Sequence, residues 1–276
     1  MKKNNKVLAV LVTCILILSV SCSSSPRNPL DVYTLRDQAE SALVSGNTES
    51  AKGNFELALM LLTEAKRYAV MADDFSLITR VCLSRGNVLF SLDLSEQAFE
   101  EWDQAISNAA RTGSGELLSM CRIYYARGNL ISGKESAQVV LDTVVRESAN
   151  VRADRLYIAF SWQVRGLALR AMGNYSEAET AFQRSLEIHN RDGYLENASY
   201  DWYSIASVRS LSGDLTGALS ALETSMALDR RVENSWGLAA SWRAMGDVLT
   251  KAGRQADAQE AYDRAGDIYA AMAIGN

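Results

Sequence analysis

One histidine and four cysteines offer the widest chemistry in this 276-residue chain, since both residue types bind metals and serve in catalysis. His189 stands in a predicted helix without neighbouring His, Cys or clustered carboxylate residues, so we do not expect it to hold a metal. Cys82 and Cys121 are expected to be small buried residues, because two cysteines without loop spacing make no disulfide framework. No nucleophile elbow, phosphate-binding loop or paired-cysteine metal spacing occurs in the sequence. We therefore predict a protein that is not an enzyme and uses no cofactor or metal.

Cys22 differs from the other cysteines because it ends a sequence of the targeting type. A basic start precedes an apolar run over 7–20, which is too short to span a bilayer as a helix. The run ends in Leu-Ser-Val-Ser-Cys, which resembles a relaxed bacterial lipobox of the kind found in spirochaetes. The resemblance implies that residues 1–21 are a lipoprotein signal peptide and that Cys22 becomes the acylated N-terminus. An ordinary signal peptide cut near Ser21 or Ser25, with Cys22 incidental, is the alternative.

The composition changes after the cysteine. Both prolines of the chain, Pro26 and Pro29, lie in a Ser-rich stretch that predicts a flexible tether over 22–30. The absence of proline from 31–276 favours a continuous helical domain there, because proline breaks helical hydrogen bonding. Removal of three lysines with the signal peptide leaves 25 basic against 33 acidic residues, a formal charge of −8. That charge argues against nucleic acid as a partner.

Six predicted corners recur at an interval of forty positions, at Gly53, Asp93, Gly133, Gly173, Gly213 and Gly253. An alanine follows five of them five residues later, at Ala58, Ala98, Ala178, Ala218 and Ala258, whereas the third copy has Ala137 four residues on. Self-similarity at a period of 20–50 residues is typical of repeat arrays, in which each unit stacks on its neighbours. The sequence therefore predicts an extended binding surface rather than a closed catalytic cleft.

Bulky and small residues alternate in step with these corners. Trp162, Trp202 and Trp242 stand eleven residues before three corners, and a small residue follows each of them four residues later. Beyond each corner except the third, a large residue precedes a small one by three positions, as Phe182 precedes Ser185. This combination resembles the tetratricopeptide repeat, although the period here is longer than that of the family. The resemblance implies an all-α, right-handed solenoid of about six helix-turn-helix repeats over 31–276.

The third copy is irregular. Its Arg127-Gly128-Asn129 aligns with Arg85-Gly86-Asn87 of the second copy, which places the two segments two positions further apart than the corners. In that alignment the turn before Ala137 is shorter and the preceding connection is longer than elsewhere. We therefore expect a locally changed twist between the third and fourth repeats.

The resemblance also implies that the first helix of each repeat lines a concave groove in which a partner binds. In the first half of the array the candidate residues resemble the family's clamp for a peptide carboxyl terminus; they are Asn47, Asn87, Asn129, Arg80 and Arg122. Asparagine amides donate to and accept from a peptide backbone, and arginine forks onto a carboxylate. Helix-end hydrogen bonding or plain solvent exposure is the alternative for the asparagines.

In the second half the candidate positions are aromatic with a cationic neighbour; they are Phe160, Tyr200, Tyr203 and Arg243. Such a group is typical of the centre of a protein interface. Core packing between the helices is the alternative. Protein binding predicts an open groove, whereas solute binding predicts a closed, aromatic-lined pocket within the array.

Together these features predict a membrane-anchored, extracytoplasmic scaffold that binds a peptide or helix of another envelope protein, in complex assembly or in transport. A solute- or glycan-binding component that accompanies a transporter is the alternative. Ser23, rather than an aspartate, follows Cys22, which favours the outer over the inner membrane. The apolar end of the chain over 269–274 predicts a surface for homo-oligomerisation.

Overall fold

The computed structural model describes residues 34–274, and within that range the chain forms twelve α-helices and no strand. The predicted signal peptide, Cys22 and the tether lie outside the described residues. The helices belong to one compact unit that begins at Leu35. Their bounds are α1 Leu35–Ala51, α2 Phe55–Met71, α3 Phe75–Ser91, α4 Ser95–Thr112, α5 Gly115–Ile131, α6 Ala137–Ser148, α7 Arg155–Ala171, α8 Tyr175–Asp192, α9 Leu195–Ser212, α10 Leu215–Arg231, α11 Ser235–Lys251 and α12 Gln255–Ile274.

The helices pair in chain order into six helix-turn-helix repeats, from α1 with α2 to α11 with α12, and each helix also packs on the next one along the chain. The first helices of successive repeats contact each other as well, as α1 does with α3 and α9 with α11. Among the described residues, the second helices make no comparable contacts with one another. The first helices therefore form the inner layer of the array and the second helices the outer one. The prediction of an all-α solenoid of six repeats is confirmed.

The turns explain the regular spacing. All six predicted corners have a positive φ, from 61° at Asp93 to 93° at Gly213, which is the left-handed conformation that glycine adopts without steric cost. A second set of corners joins each repeat to the next, and four of these have a positive φ, at Asp73, Gly113, Gly193 and Glu233. This second set follows the same repeat interval as the first. This second set is not evident from the sequence, because two of its members are acidic residues rather than glycines.

In four of the six repeats, close pairing of the two helices depends on a glycine of the first helix. A Cβ added to Gly86 would lie 2.3 Å from Nε1 of the fully buried Trp102. A Cβ added to Gly166 would likewise lie against the ring of Phe182, and a Cβ added to Gly246 would lie against the ring of Tyr262. The ring of the second helix therefore lies directly over the backbone of the first, and the two helices approach closely.

The third repeat departs from the others in its turn and not in its first helix. Helices α3, α5 and α7 begin at equal intervals, at Phe75, Gly115 and Arg155, so the alignment of Gly128 with Gly86 is wrong. Ala126 takes the position of Gly86, and Gly128 packs against Trp102 of the preceding repeat. The turn over 132–136 is longer than the corresponding turn over 92–94, and α6 has only 12 residues. The predicted change of twist beyond this repeat stays a prediction.

The two ends of the array meet. A Cβ added to Gly53, in the first repeat, would lie 2.7 Å from Cβ of Trp236, in the sixth. The Trp236 ring contacts Phe55 edge to face at 5.5 Å between centroids, and it contacts Tyr269 at the same distance. The first and sixth repeats therefore contact each other, and the inner layer lines the space between them.

We expect Gly86→Ala to destabilise the protein by about 1–3 kcal/mol, because the added methyl group forces Trp102 out of its packed position. Gly266→Ala is the matched control, since Gly266 also lies in a helix but has no atom within 4 Å of an added Cβ. The control should stabilise the helix by up to about 1 kcal/mol. Urea denaturation measures both, and equal effects would contradict the packing role of Gly86.

Replacing Trp236 with alanine should open the contact between the ends. The loss of two edge-to-face contacts should lower the stability by about 1–3 kcal/mol and increase the radius of gyration. Small-angle X-ray scattering measures the size, and thermal denaturation measures the stability. Trp242→Ala is the control, because Trp242 lies on the same helix but stacks with Arg264. An unchanged radius of gyration in Trp236→Ala would show that this contact does not hold the ends together.

Candidate functional site

A cavity of about 290 Å³ occupies the centre of the array and is lined by residues of all six repeats. Its lining comes from the inner layer; the residues are Ala51, Asn87, Ser91, Tyr124, Arg127, Phe160, Gln163, Leu167, Glu196, Asn197, Tyr200 and Asn234. We call this space the central cavity. Aromatic, amide and charged groups converge there, which is the usual composition of a binding pocket in proteins.

Two aromatic rings form one wall of the central cavity. Tyr124 of α5 stacks on Phe160 of α7 at 4.1 Å between centroids, with 19° between the ring planes. Burial raises the pKa of Tyr124 to about 12, so its hydroxyl stays protonated at neutral pH. The side chain of Asn87 lies beside this hydroxyl, and its buried Oδ1 atom accepts no hydrogen bond within the described part of the chain. The wall thus combines an apolar face with a buried amide oxygen that has no hydrogen-bond partner in the described part of the chain.

Arg127 brings a positive charge to the central cavity. Within residues 34–274 no carboxylate lies within the 4.0 Å of an ion pair with its guanidinium group. Asn87, Arg127 and Leu167 follow one another at the repeat interval, so the three share one position of the repeat. Glu196 supplies the acidic group of the same lining. The cavity therefore holds charges of both signs, and its arginine has no carboxylate partner in the described part of the chain.

The predicted site residues divide into two groups. Asn87, Phe160 and Tyr200 line the central cavity. Tyr203 and Arg243 line a neighbouring pocket between α9 and α11. Their role in partner binding stays a prediction.

The other predicted site residues lie away from the central cavity. Arg80 is paired with Glu40. Arg122 points to Glu147, with 3.4 Å between Nη1 and Oε2. Asn129 is buried, and Asn47 is exposed outside the cavity lining.

The displaced alignment of the third repeat explains two of these positions. A shift of two residues on a helix changes the face on which a side chain lies. The alignment predicted from the sequence pairs Arg122 with Arg80 and Asn129 with Asn87. This spacing is two positions longer than the spacing between the starts of α3 and α5. Because of the same shift, the alignment does not identify Arg127 and Tyr124 as candidate site residues. The corner interval, counted from Asn87, leads to Arg127.

His189 has a carboxylate partner that its sequence surroundings did not reveal. Its Nδ1 lies 2.6 Å from Oδ2 of Asp201 on the next helix, and both side chains are buried. Gln163 donates to the other carboxylate oxygen of Asp201 at 2.8 Å. Burial raises the pKa of Asp201, and its hydrogen bonds to His189 and Gln163 oppose that rise. The network joins the fourth and fifth repeats and orients Gln163 at the cavity.

Ser185 also approaches this histidine, but the arrangement is not that of a catalytic triad. The Ser185 hydroxyl lies 3.4 Å from Nδ1, the same ring nitrogen that contacts Asp201, while Nε2 is buried without a partner in the described structure. A triad needs the serine and the acid on opposite ring nitrogens. The group therefore fits a structural role at the interface of two repeats.

A second pocket, of about 330 Å³, lies between α9 and α11 and opens beside the central cavity. We call it the side pocket. Its aromatic lining consists of Tyr200, Tyr203, Trp236 and Tyr269. Burial raises the pKa of Tyr203, and the nearby Arg243 opposes that rise. Tyr200 lines both spaces, so the predicted aromatic half-groove is a wall shared by two pockets.

Within residues 34–274, no three His, Cys, Asp or Glu side chains are grouped closely enough to hold a metal ion. None of the helices there has the length and apolar character needed to cross a membrane. Cys82 and Cys121 are buried and free, as expected.

Solved structures with a similar fold come from several repeat proteins. A Rap protein in complex with competence and sporulation factor aligns with 87% of this chain and 77% of its own, at 13% identity and a TM-score of 0.62. BtubC from P. vanneervenii aligns over 86% and 92%, at 17% identity and a TM-score of 0.55. The TPR-like repeats of a Podosopora anserina kinesin light chain align over 70% and 95%, at 17% identity and 0.51. At these identities the likeness concerns the fold alone.

Sequence comparison gives a complementary result. Two family models, both described as tetratricopeptide repeat, match residues 159–192 and 197–271. Comparison with curated protein sequences found no match. The two matched segments cover the fourth, fifth and sixth repeats, where the tryptophan and glycine positions are best kept. Residues 159–192 and 197–271 therefore consist of tetratricopeptide repeats, within a helical array that has the fold of tetratricopeptide-repeat solenoids.

Proposed function

We propose that this protein is an interaction scaffold that binds a short, extended segment of another envelope protein in its central cavity. The observation that carries the proposal is the convergence of all six repeats on one cavity with unused polar groups. Scaffolds of this kind present a surface instead of catalytic groups. The Rap protein of similar fold was solved with a bound factor, which supports a binding role for such an array.

The contact between the two ends decides which shape of partner fits. An α-helix is about 10–12 Å across and needs a groove that is open along its length. Trp236 and Phe55 close the array on one side, and the cavity of about 290 Å³ is at the lower end of the usual range for ligand pockets. An extended segment of a few residues suits this space better than a helix does.

The lining also indicates the chemistry of that segment. Arg127 pairs with no carboxylate of residues 34–274, so it is free to fork onto a carboxylate of the partner, either a chain terminus or an acidic side chain. The Asn87 amide offers an acceptor for a backbone N–H group. The stacked rings of Tyr124 and Phe160 offer an apolar face to a neighbouring side chain. These groups suit a short segment that carries a negative charge.

Binding of a small solute or glycan is the second candidate function. The observation that favours it is the closed array with an aromatic stack at its centre, since small-molecule sites are usually enclosed and aromatic-lined. A protein with this function would serve a transporter rather than an assembly. The binding assay below separates the two, because only the first candidate predicts capture of a protein.

The cellular setting belongs to the same proposal. The relaxed lipobox at Cys22 supports a lipid anchor, and Ser23 after it supports the outer membrane. The tether over 22–30 would hold the array away from the bilayer. Homo-oligomerisation through the end of α12 stays a prediction, and light scattering over a range of concentrations tests it.

The double substitution Asn87→Ala with Arg127→Ala should weaken partner capture at least about tenfold, because it removes a charge-assisted contact and a backbone contact. Crosslinking and pull-down from native membranes measure the capture. Arg122→Ala is the matched control, since this arginine lies on the same helix as Arg127 but faces Glu147. Equal capture by the double variant and the wild type would contradict binding in the central cavity.

A lipid anchor on Cys22 should make the protein incorporate labelled fatty acid and partition with membranes. Cys22→Ala should lose both properties, because several buried acyl chains, at ~0.8 kcal/mol per methylene group, account for the anchoring. Cys82→Ala is the control and should keep the label, since Cys82 is buried in the repeat core. A labelled Cys22→Ala variant would rule out the anchor at this residue.

A further inference from the structure

Asp229 is a buried carboxylate with an unused oxygen. Its side chain lies near the end of α10 and is 1% exposed. Oδ1 accepts a hydrogen bond from Nδ2 of Asn234 at 2.8 Å, whereas Oδ2 has no partner within the described residues. Burial raises the pKa of Asp229, opposed by Ser199, Asn234 and the adjacent Arg230. A buried carboxylate is costly to the fold unless a cation or several donors compensate it.

The other buried carboxylates of residues 34–274 are compensated. Glu101 contacts Lys66 at 2.7 Å and Arg85 at 2.9 Å. Glu147 contacts Arg146 and Arg122, and Asp201 contacts His189. Asp229 makes no ion pair, because no cationic group of the described chain lies within 4.0 Å of it. The described chain thus gives Glu101 and Glu147 a cationic partner and Asp201 an imidazole partner, and it leaves Asp229 with neither.

The interface between the fourth and fifth repeats contains the kind of partner that Asp229 lacks. Counted back by one repeat interval, Asp229 corresponds to His189, and Ser241 corresponds to Asp201. Between the fourth and fifth repeats these positions hold an acid and a base in contact. Between the fifth and sixth they hold an acid and a hydroxyl group, and Ser241 is hydrogen-bonded to Ser225 at 3.2 Å instead. The second interface therefore has a carboxyl group without the basic counterpart that the first one has.

The side pocket is the space next to this carboxylate. Asp229 lies in its lining together with the aromatic rings of Tyr200, Tyr203, Trp236 and Tyr269. Aromatic faces attract organic cations through their negative quadrupole, and a buried carboxylate adds a directed hydrogen-bond acceptor. The other charged groups of this pocket are Glu196, which adds to the attraction, and Arg243, which is exposed and opposes it.

We propose that the side pocket binds an organic ammonium group, with the ammonium donating to Oδ2 of Asp229 and the attached alkyl chain packed against the aromatic rings. The group can come from a free amine or from a lysine side chain of a bound segment. The second source, a lysine of a bound segment, rests on the proposed function. A segment in the central cavity can extend a lysine side chain into the side pocket, because Glu196, Tyr200 and Asn234 line both spaces.

Isothermal titration calorimetry with four probes tests the proposal on the full chain. n-Pentylammonium represents the free amine, and 1-pentanol is its neutral counterpart. Nα-acetyl-lysine amide represents the side chain of a segment, and Nα-acetyl-norleucine amide is its neutral counterpart. At least one cationic probe should bind about tenfold more tightly than its neutral counterpart, and which one does identifies the source. If neither cationic probe is preferred, the proposal is wrong.

Asp229→Asn should abolish this preference and leave the free protein equally stable or more stable, because it removes an uncompensated buried charge. Asp267→Asn is the matched control, since Asp267 is exposed on α12, and it should keep the preference. Arg243→Gln should tighten the binding of the cationic probe by removing a like charge. A preference that persists in Asp229→Asn would overturn the proposal, as would an Arg243→Gln variant that binds more weakly.

A further pair of variants covers the case in which Asp229→Asn folds poorly. Tyr269→Leu keeps the carboxylate but removes one aromatic face, and it should weaken the cationic probe while leaving the neutral one unchanged. The variant with Asn87→Ala and Arg127→Ala should bind the cationic probe as the wild type does. Tighter or weaker binding in that variant would place the ammonium in the central cavity and overturn the side-pocket assignment, independently of the proposed function.

Discussion

The close approach of the two helices in each repeat is the constraint on which the rest of the structure depends. Gly86, Gly166 and Gly246 leave room on the first helix for a tryptophan, phenylalanine or tyrosine ring of the second. The first helices of successive repeats also contact each other, as α1 does with α3 and α9 with α11, and they form the inside of the array. Repeated six times, this asymmetry curves the array until Trp236 reaches Gly53 and Phe55. The central cavity is a consequence of that closure.

Polar groups at the interfaces between repeats are compensated unequally. Glu101 links the first two repeats through Lys66 and pairs with Arg85 within its own repeat, and Asp201 links the fourth to the fifth through His189. Such pairs act mainly to define which helices meet, since burial removes much of their net stabilisation. Asp229 occupies a similar place without a cationic partner in the described chain, so that interface gives up stability. Local departures from full compensation of this kind are often found at functional sites.

The central cavity and the side pocket suit groups of opposite charge on one bound molecule. Arg127 in the central cavity suits a negative group, and Asp229 in the side pocket suits a positive one. Tyr200 lies in the wall between them, and an aromatic wall contacts apolar parts of a ligand without selecting their charge. Of the candidate residues that the sequence pointed to, Asn87 of the first half lies around one region with Phe160 and Tyr200 of the second half. The closure of the array brings them together.

The sequence by itself determined the repeat, its corners and the pairing of small with large residues, because these depend on backbone conformation and on contacts between residues close together in the chain. Only the tertiary structure showed that Asp201 is the partner of His189 and that the first repeat contacts the sixth. These contacts join residues on different helices, and the last joins the repeats at opposite ends of the array. Their geometry depends on the small rotation between successive repeats, which accumulates over the array and leaves no local pattern in the chain.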